Sequence, residues 1–100
     1  MSLDNATEAI RTKAAMSPQL GYRAQFDFGA DGVIYWDGTQ TPPVISNEAG
    51  EADTTLSLSL EDMQKLVAGE LSPTLAYMTG KLKIEGSMGV ALKIGELLGE

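Results

Sequence analysis

The sequence predicts an α+β domain whose five-stranded, mainly antiparallel sheet carries helices over one face. Three observations lead there. Two stretches alternate with a period of two. Tyr22, Ala24, Phe26 and Phe28 oppose Arg23, Gln25 and Asp27, and Ala52, Thr54, Leu56, Leu58 and Leu60 oppose Asp53, Thr55, Ser57 and Ser59. Apolar residues at helical spacing group toward the two ends of the chain, so helices do not alternate with every strand. Gly29 to Gly32 and Asp37-Gly38 carry turn chemistry at hairpin spacing. A sheet with one polar face and one helix-covered face satisfies all of these alternations.

The elements follow in order. Asp4 or Asn5 is expected to cap a short helix in which Ala6, Ala9, Ile10 and Ala14 recur at helical spacing, with Glu8 in the first turn and Lys13 near the end. Pro18 and Gly21 close it. A half-buried strand runs from Tyr22, and Val33 to Trp36 form the second. Val44 and Ile45 begin a third, ended by Asn47 to Gly50. The fourth is the stretch around Leu56, where a one-residue slip would expose three leucines, so its register is well specified. Ser59 precedes a helix from Glu61 to about Ala68 with Met63, Leu66 and Val67 on its apolar side. Ser72-Pro73 opens a helix to Thr79, since proline loses nothing at a first turn whose N–H groups are unpaired anyway. Gly80 ends it, a strand runs from Lys81 to Glu85, and Ser87 caps a closing helix from Met88 to Leu98. Because the fifth strand comes late, it is expected to insert beside an earlier strand rather than extend a meander.

Composition narrows the chemistry. One hundred residues make one domain, able to bury roughly 60 to 70% of its unfolded surface. The absence of cysteine and histidine removes disulfides, the usual zinc sites, and Ser-His-Asp or Cys-His catalysis. A net charge of −7 argues against nucleic acid and against standing attraction to anionic membranes, leaving at most transient membrane contact. With no apolar run near the roughly 20 residues of a membrane span, a cytoplasmic protein is expected. Glu85-Gly-Ser-Met-Gly89 is one glycine short of a nucleophile elbow, and without histidine Ser87 reads as a helix cap. Asp27, Asp31 and Asp37 sit at strand ends, where Asp31 and Asp37 occupy turn-forming positions. No catalytic residue, metal site or cofactor is predicted.

The late elements are the remaining feature. The closing helix is apolar over more than one stripe, since Met88, Ala91, Leu92 and Leu98 do not share a side with Val90, Ile94 and Leu97. Five methionines add flexible, polarizable side chains suited to changing guests. Gly80-Lys-Leu-Lys-Ile-Glu-Gly-Ser-Met-Gly-Val-Ala-Leu-Lys-Ile94, with Gly69-Glu-Leu-Ser-Pro73 and the strand from Ala52 to Ser59, closely resembles the sterol-carrier-protein lipid-binding domain. The resemblance runs from about Tyr22 to Leu98 and is strongest from Asp53 onward. It implies a five-stranded sheet with helices enclosing an apolar tunnel that binds fatty acids, acyl-CoA, sterols or phospholipids, without catalytic residues. The first helix is shorter than in longer members, and the C-terminus is not a peroxisomal address.

The expected lining is Leu75, Met78, Leu82, Ile84, Met88, Ala91 and Leu92, with Phe26, Phe28 and Trp36. An empty tunnel of about 300 Å³ would cost on the order of 7 kcal/mol, so it should be either occupied or collapsed. Ala91→Trp is expected to block ligand access in a folded domain. The alternative reading is a small interaction or accessory domain with a side-chain-filled core.

Overall fold

The computed structural model describes residues 1–16 and 20–99. Its elements are α1 (Leu3–Met16), β1 (Arg23–Asp27), β2 (Val33–Asp37), β3 (Val44–Ser46), β4 (Thr54–Ser57), α2 (Leu60–Val67), α3 (Pro73–Met78), β5 (Lys83–Gly86) and α4 (Met88–Leu98). One 3-10 turn, Gly29–Asp31, lies between β1 and β2. The α+β architecture and the helix-covered sheet agree with the sequence reading.

The sheet order is β3-β2-β1-β4-β5. Pairing is antiparallel between β1 and β2, β2 and β3, and β4 and β5, but parallel between β1 and β4. The break in the meander therefore falls at β4, whereas β5 pairs with β4 at the sheet edge. Asp53 anchors this crossing. Its carboxylate accepts from the Arg23 amide at 2.8 Å, its own amide donates to the Arg23 carbonyl at 2.8 Å, and its carbonyl accepts from the Ser87 amide at 2.9 Å. One residue thus ties β1, β4 and the start of α4 together.

Register carries the apolar alternation across the sheet. Phe26 stands opposite Ile34 on β2 and Leu56 on β4, and Leu56 stands opposite Ile84 on β5. Phe26, Ile34 and Leu56 are fully buried beneath the helices, while Gln25, Tyr35 and Thr55 line the other face half-buried. Tyr22 was expected on the buried side but is exposed. It precedes Arg23↔Asp37, the first pair of the β1–β2 ladder, and so lies off the end of the covered sheet.

Several boundaries differ from expectation, among them β5, which runs Lys83–Gly86 instead of Lys81 to Glu85 because the Ala76 carbonyl holds the Lys81 and Leu82 amides in the preceding turn. α1 begins at Leu3 because the Ser2 hydroxyl accepts from the Asn5 amide at 3.1 Å, which makes Ser2 the cap instead of Asp4 or Asn5. α1 also extends beyond Ala14 to Met16, and Pro18, expected to close it, lies outside the described residues. Leu60, read as the last strand residue, opens α2, because the Ser59 hydroxyl accepts from the Asp62 amide at 3.0 Å and starts the helix there. α4 has its expected bounds, with the Ser87 hydroxyl accepting from the Val90 amide at 3.3 Å.

The strand-end aspartates build turns. Asp27 accepts from the Gly29 amide at 2.8 Å, and Asp37 accepts from the Thr39 amide at 3.0 Å and from the Thr39 hydroxyl. The Thr39 hydroxyl, more than any other group, holds the Asp37 carboxyl below its ordinary range. Partial burial opposes this, and the Thr39 amide, Arg23 and Gln40 reinforce it. A carboxylate with a depressed folded pKa contributes stability above its unfolded pKa and loses it as pH falls through the folded value. Thr39→Val should therefore destabilise the protein at neutral pH. In urea titrations that difference should shrink as pH drops below about 3.9; a difference unchanged from pH 7 to pH 2 would remove Asp37 as its cause.

Candidate functional site

The late elements form one continuous unit. The Ser72 hydroxyl accepts from the Leu75 amide at 3.4 Å, and Pro73 occupies the first turn of α3. After Met78 the chain turns back so that the Ala76 carbonyl accepts from the amides of Lys81 and Leu82, at 2.9 and 3.1 Å, and this delivers Leu82 into the core. A Cβ on Gly95 would stand 2.6 Å from the Pro73 Cβ, so the absence of a side chain lets α3 pack against α4.

The predicted lining residues fall into three groups. Phe26, Trp36 and Ala91 are fully buried, with Phe28 and Leu82 nearly so. Ile84 and Leu92 are half-buried. Leu75, Met78 and Met88 are exposed, at 53%, 75% and 41%. Phe26, Phe28 and Trp36 share the helix-covered face of the sheet, over which α4 brings Ala91. α3 ends in a rim of apolar side chains turned outward. Apart from Met63, the methionines lie at the surface and do not pad the interior.

The buried arc of α4 consists of Val90, Ala91, Ile94, Gly95 and Leu98. It merges residues that the sequence reading assigned to separate stripes, because sheet and neighbouring helices together cover more than a narrow seam. Ile34, Met63 and Ile94 belong to this interior but were absent from the expected lining. Alternation with Trp36 and the helical spacing Val90, Ile94, Leu97 were the signals that could have included Ile34 and Ile94. Complete burial also changes what Ala91→Trp would report. A bulky ring there overpacks the core, so the substitution measures packing before it measures access.

One polar atom in this interior is unmatched. Trp36 Nε1 is buried and, among the described residues, has no hydrogen-bond partner. A buried donor left without an acceptor costs about 1–3 kcal/mol. Two surface cavities lie elsewhere. One of about 210 Å³ is lined by Arg11, Ala14, Ala15, Pro42, Pro43 and Ile45. The other, about 310 Å³, lies between the Gly69 to Pro73 connection and the end of α4. Among the described residues no three acidic side chains converge as a metal site would require, and no helix is long and apolar enough to cross a membrane.

Known proteins resemble this chain over part of its sequence, and others resemble its fold. Hydroxysteroid dehydrogenase-like protein 2 of Xenopus laevis is 48% identical over 50 residues, which is 50% of this chain but only 12% of that protein. Among solved structures, sterol carrier protein 2 from Yarrowia lipolytica in its apo form superposes with a TM-score of 0.76 at 25% identity, over 92% of this chain and 85% of that one. Sterol carrier protein 2 like 2 from Aedes aegypti superposes with a TM-score of 0.73 at 26% identity, over 96% and 95%. The model of the SCP-2 sterol transfer family matches residues 7–99, a span that takes in every strand, α2 to α4 and most of α1. The chain therefore belongs to the SCP-2 sterol transfer family.

Proposed function

We propose that this domain is a non-enzymatic carrier that binds one lipid, a fatty acid, acyl-CoA, sterol or phospholipid, between the helices and the sheet. Family membership supports the lipid class. The observation that supports the placement is Trp36, a hydrogen-bond donor that has no acceptor among the described residues, inside a mainly apolar layer whose buried polar residues include Thr7 and Thr54. A guest whose apolar body replaces side-chain contacts and whose oxygen accepts from Nε1 would relieve that deficit. Phe26, Phe28, Trp36, Leu82 and Ala91 form the inner wall in this reading, Ile84 and Leu92 the middle, and Leu75, Met78 and Met88 the mouth.

An acyl chain of about 14 methylenes gains about 11 kcal/mol gross on burial, before association costs. Such a guest can hold open a space that would otherwise collapse. The single tryptophan makes this measurable. Delipidated protein titrated with a fluorescent polyene fatty acid should show saturable energy transfer from Trp36, displaced by palmitate, an acyl-CoA or cholesterol according to the preferred class. If no transfer occurs, and solvent extraction of protein that was never delipidated yields no lipid, the interaction-domain reading replaces this one.

A further inference from the structure

We propose that β5 is the interface of a two-fold dimer, in which the edge strands of two copies of this chain pair antiparallel about Ile84 and join their sheets into one. The proposal goes beyond the carrier reading and does not rest on it, since neither the strand edge nor its test involves a lipid. β5 ends the sheet, with β4 on one side and no strand of the described residues on the other. Such an edge presents unpaired backbone groups to a further strand.

The hydrogen-bonding phase of the ladder fixes which groups those are. The Leu58 amide donates to the Asp27 carbonyl at 3.2 Å, so Leu56 likewise turns its backbone groups toward β1, while Thr55 and Ser57 turn theirs toward β5. Their partners on β5 are Glu85 and Lys83. In the same step, the Ser87 amide donates to the Asp53 carbonyl at 2.9 Å. The N–H and C=O of Ile84, between these bonded positions, therefore point away from β4. No backbone bond in a turn, loop or cap of the described residues uses either group.

Charge selects both the occupant and the register. Lys83 and Glu85 flank Ile84, are exposed, and make no ion pair among the described residues. Both share the open face of the sheet with their partners Ser57 and Thr55, whereas Ile84 shares the helix-covered face with Leu56. Pairing about Ile84 sets Lys83 of each copy against Glu85 of the other, and the two Ile84 residues exchange their free hydrogen bonds and bring their half-buried side chains together. The neighbouring registers that keep the outward groups in phase oppose Lys83 to Lys83 or Glu85 to Glu85, and like charges directly opposite are destabilising. A lone lysine guards an edge against any strand; this alternation repels only the wrong registers. The assembly also closes at two copies. The other edge strand, β3, is three residues long and follows Pro42 and Pro43, which have no N–H to donate, so it does not prolong the joined sheet.

Sedimentation equilibrium of the whole chain over about 10 to 500 µM, in about 0.15 M salt, tests the proposal. A monomer–dimer equilibrium should appear with Kd on the order of 100 µM, as suits a short edge contact. Lys83→Glu and Glu85→Lys should each weaken it about tenfold or more, because each turns both symmetric pairs from attraction to repulsion. Mixed in equal amounts, the two variants should associate at least as tightly as the parent, since every facing pair is then opposite in charge. Lys65→Glu, the same charge change placed on α2, should leave Kd within about twofold. A chain that stays monomeric across the range overturns the proposal. So does a dimer indifferent to both β5 variants, a mixture that fails to associate, or a loss in Lys65→Glu equal to that in Lys83→Glu. Should either charge reversal fail to fold by circular dichroism, Lys83→Gln and Glu85→Gln decide instead, each expected to weaken the dimer about threefold.

Discussion

A Gly86→Val variant should lose a large share of the stability of the fold. Gly86 has φ +89°, a left-handed conformation that a β-branched residue adopts only at a cost of about 1–3 kcal/mol. Space is closed as well as conformation. A Cβ at this position would stand 2.4 Å from the Asp53 carbonyl oxygen and 3.2 Å from the Thr54 Cα, both backbone atoms that cannot swing aside. Those atoms belong to the junction that pairs β4 with β5 and accepts the Ser87 amide, so relief of the clash breaks the edge of the sheet and the start of α4 together. The combined loss should reach about 4 kcal/mol or more, against roughly 5–15 kcal/mol for a whole domain. In urea, with a slope of about 1–3 kcal/mol per molar, the midpoint should fall by at least about 1 M. Gly89→Ala in α4 is the matched control, since a Cβ there meets nothing within 4 Å. A Gly86→Val midpoint within experimental error of the parent would show that the β4–β5 junction is not as close as described.

Phe26→Ala should cost about 3–5 kcal/mol, the usual range for removing a fully buried aromatic ring. The ring is 0% exposed, faces the helices from the middle of the sheet, and has Ile34 and Leu56 as its cross-strand neighbours on either side. Neither neighbour can shift far, because each is held by its own ladder on β2 and β4. Calorimetry should record a fall in Tm of at least about 12 °C, taking about 4 °C per kcal/mol as the lower bound for a domain of this size. Tyr22→Ala, just outside the strand, should stay within about 0.5 kcal/mol of the parent because its side chain is exposed. A Phe26→Ala loss under about 1 kcal/mol would mean that the helix layer does not close over β1.

The strands with period-two alternation were legible because burial on a sheet is set by position along the strand, and Ala24, Phe26, Leu56 and Leu58 follow that rule. The bounds of α4 were legible for a similarly local reason, a serine cap three residues from the amide it receives. The start of α1 was misplaced because Ser2 competes with Asp4 and Asn5 as cap, and local sequence does not rank three capable residues. The parallel pairing of β4 with β1 was not legible. It depends on hydrogen bonds between Asp53 and Arg23, thirty residues apart, for which neither residue type carries a signal.

For the candidate site, residue type indicated which side chains prefer an apolar setting, and it indicated this correctly for Phe26, Trp36, Leu82 and Ala91. It did not distinguish them from Leu75, Met78 and Met88, whose apolar character is the same but whose exposure depends on whether another layer covers α3. By itself, then, the sequence determined the fold class, the faces of the alternating strands, the serine caps of α2, α3 and α4 and the family, because each is written in local periodicity, capping chemistry or motif. Only the tertiary structure decided the order of the strands, the Trp36 donor without a partner among the described residues, and which apolar side chains are buried and which exposed, because each depends on which distant segments meet.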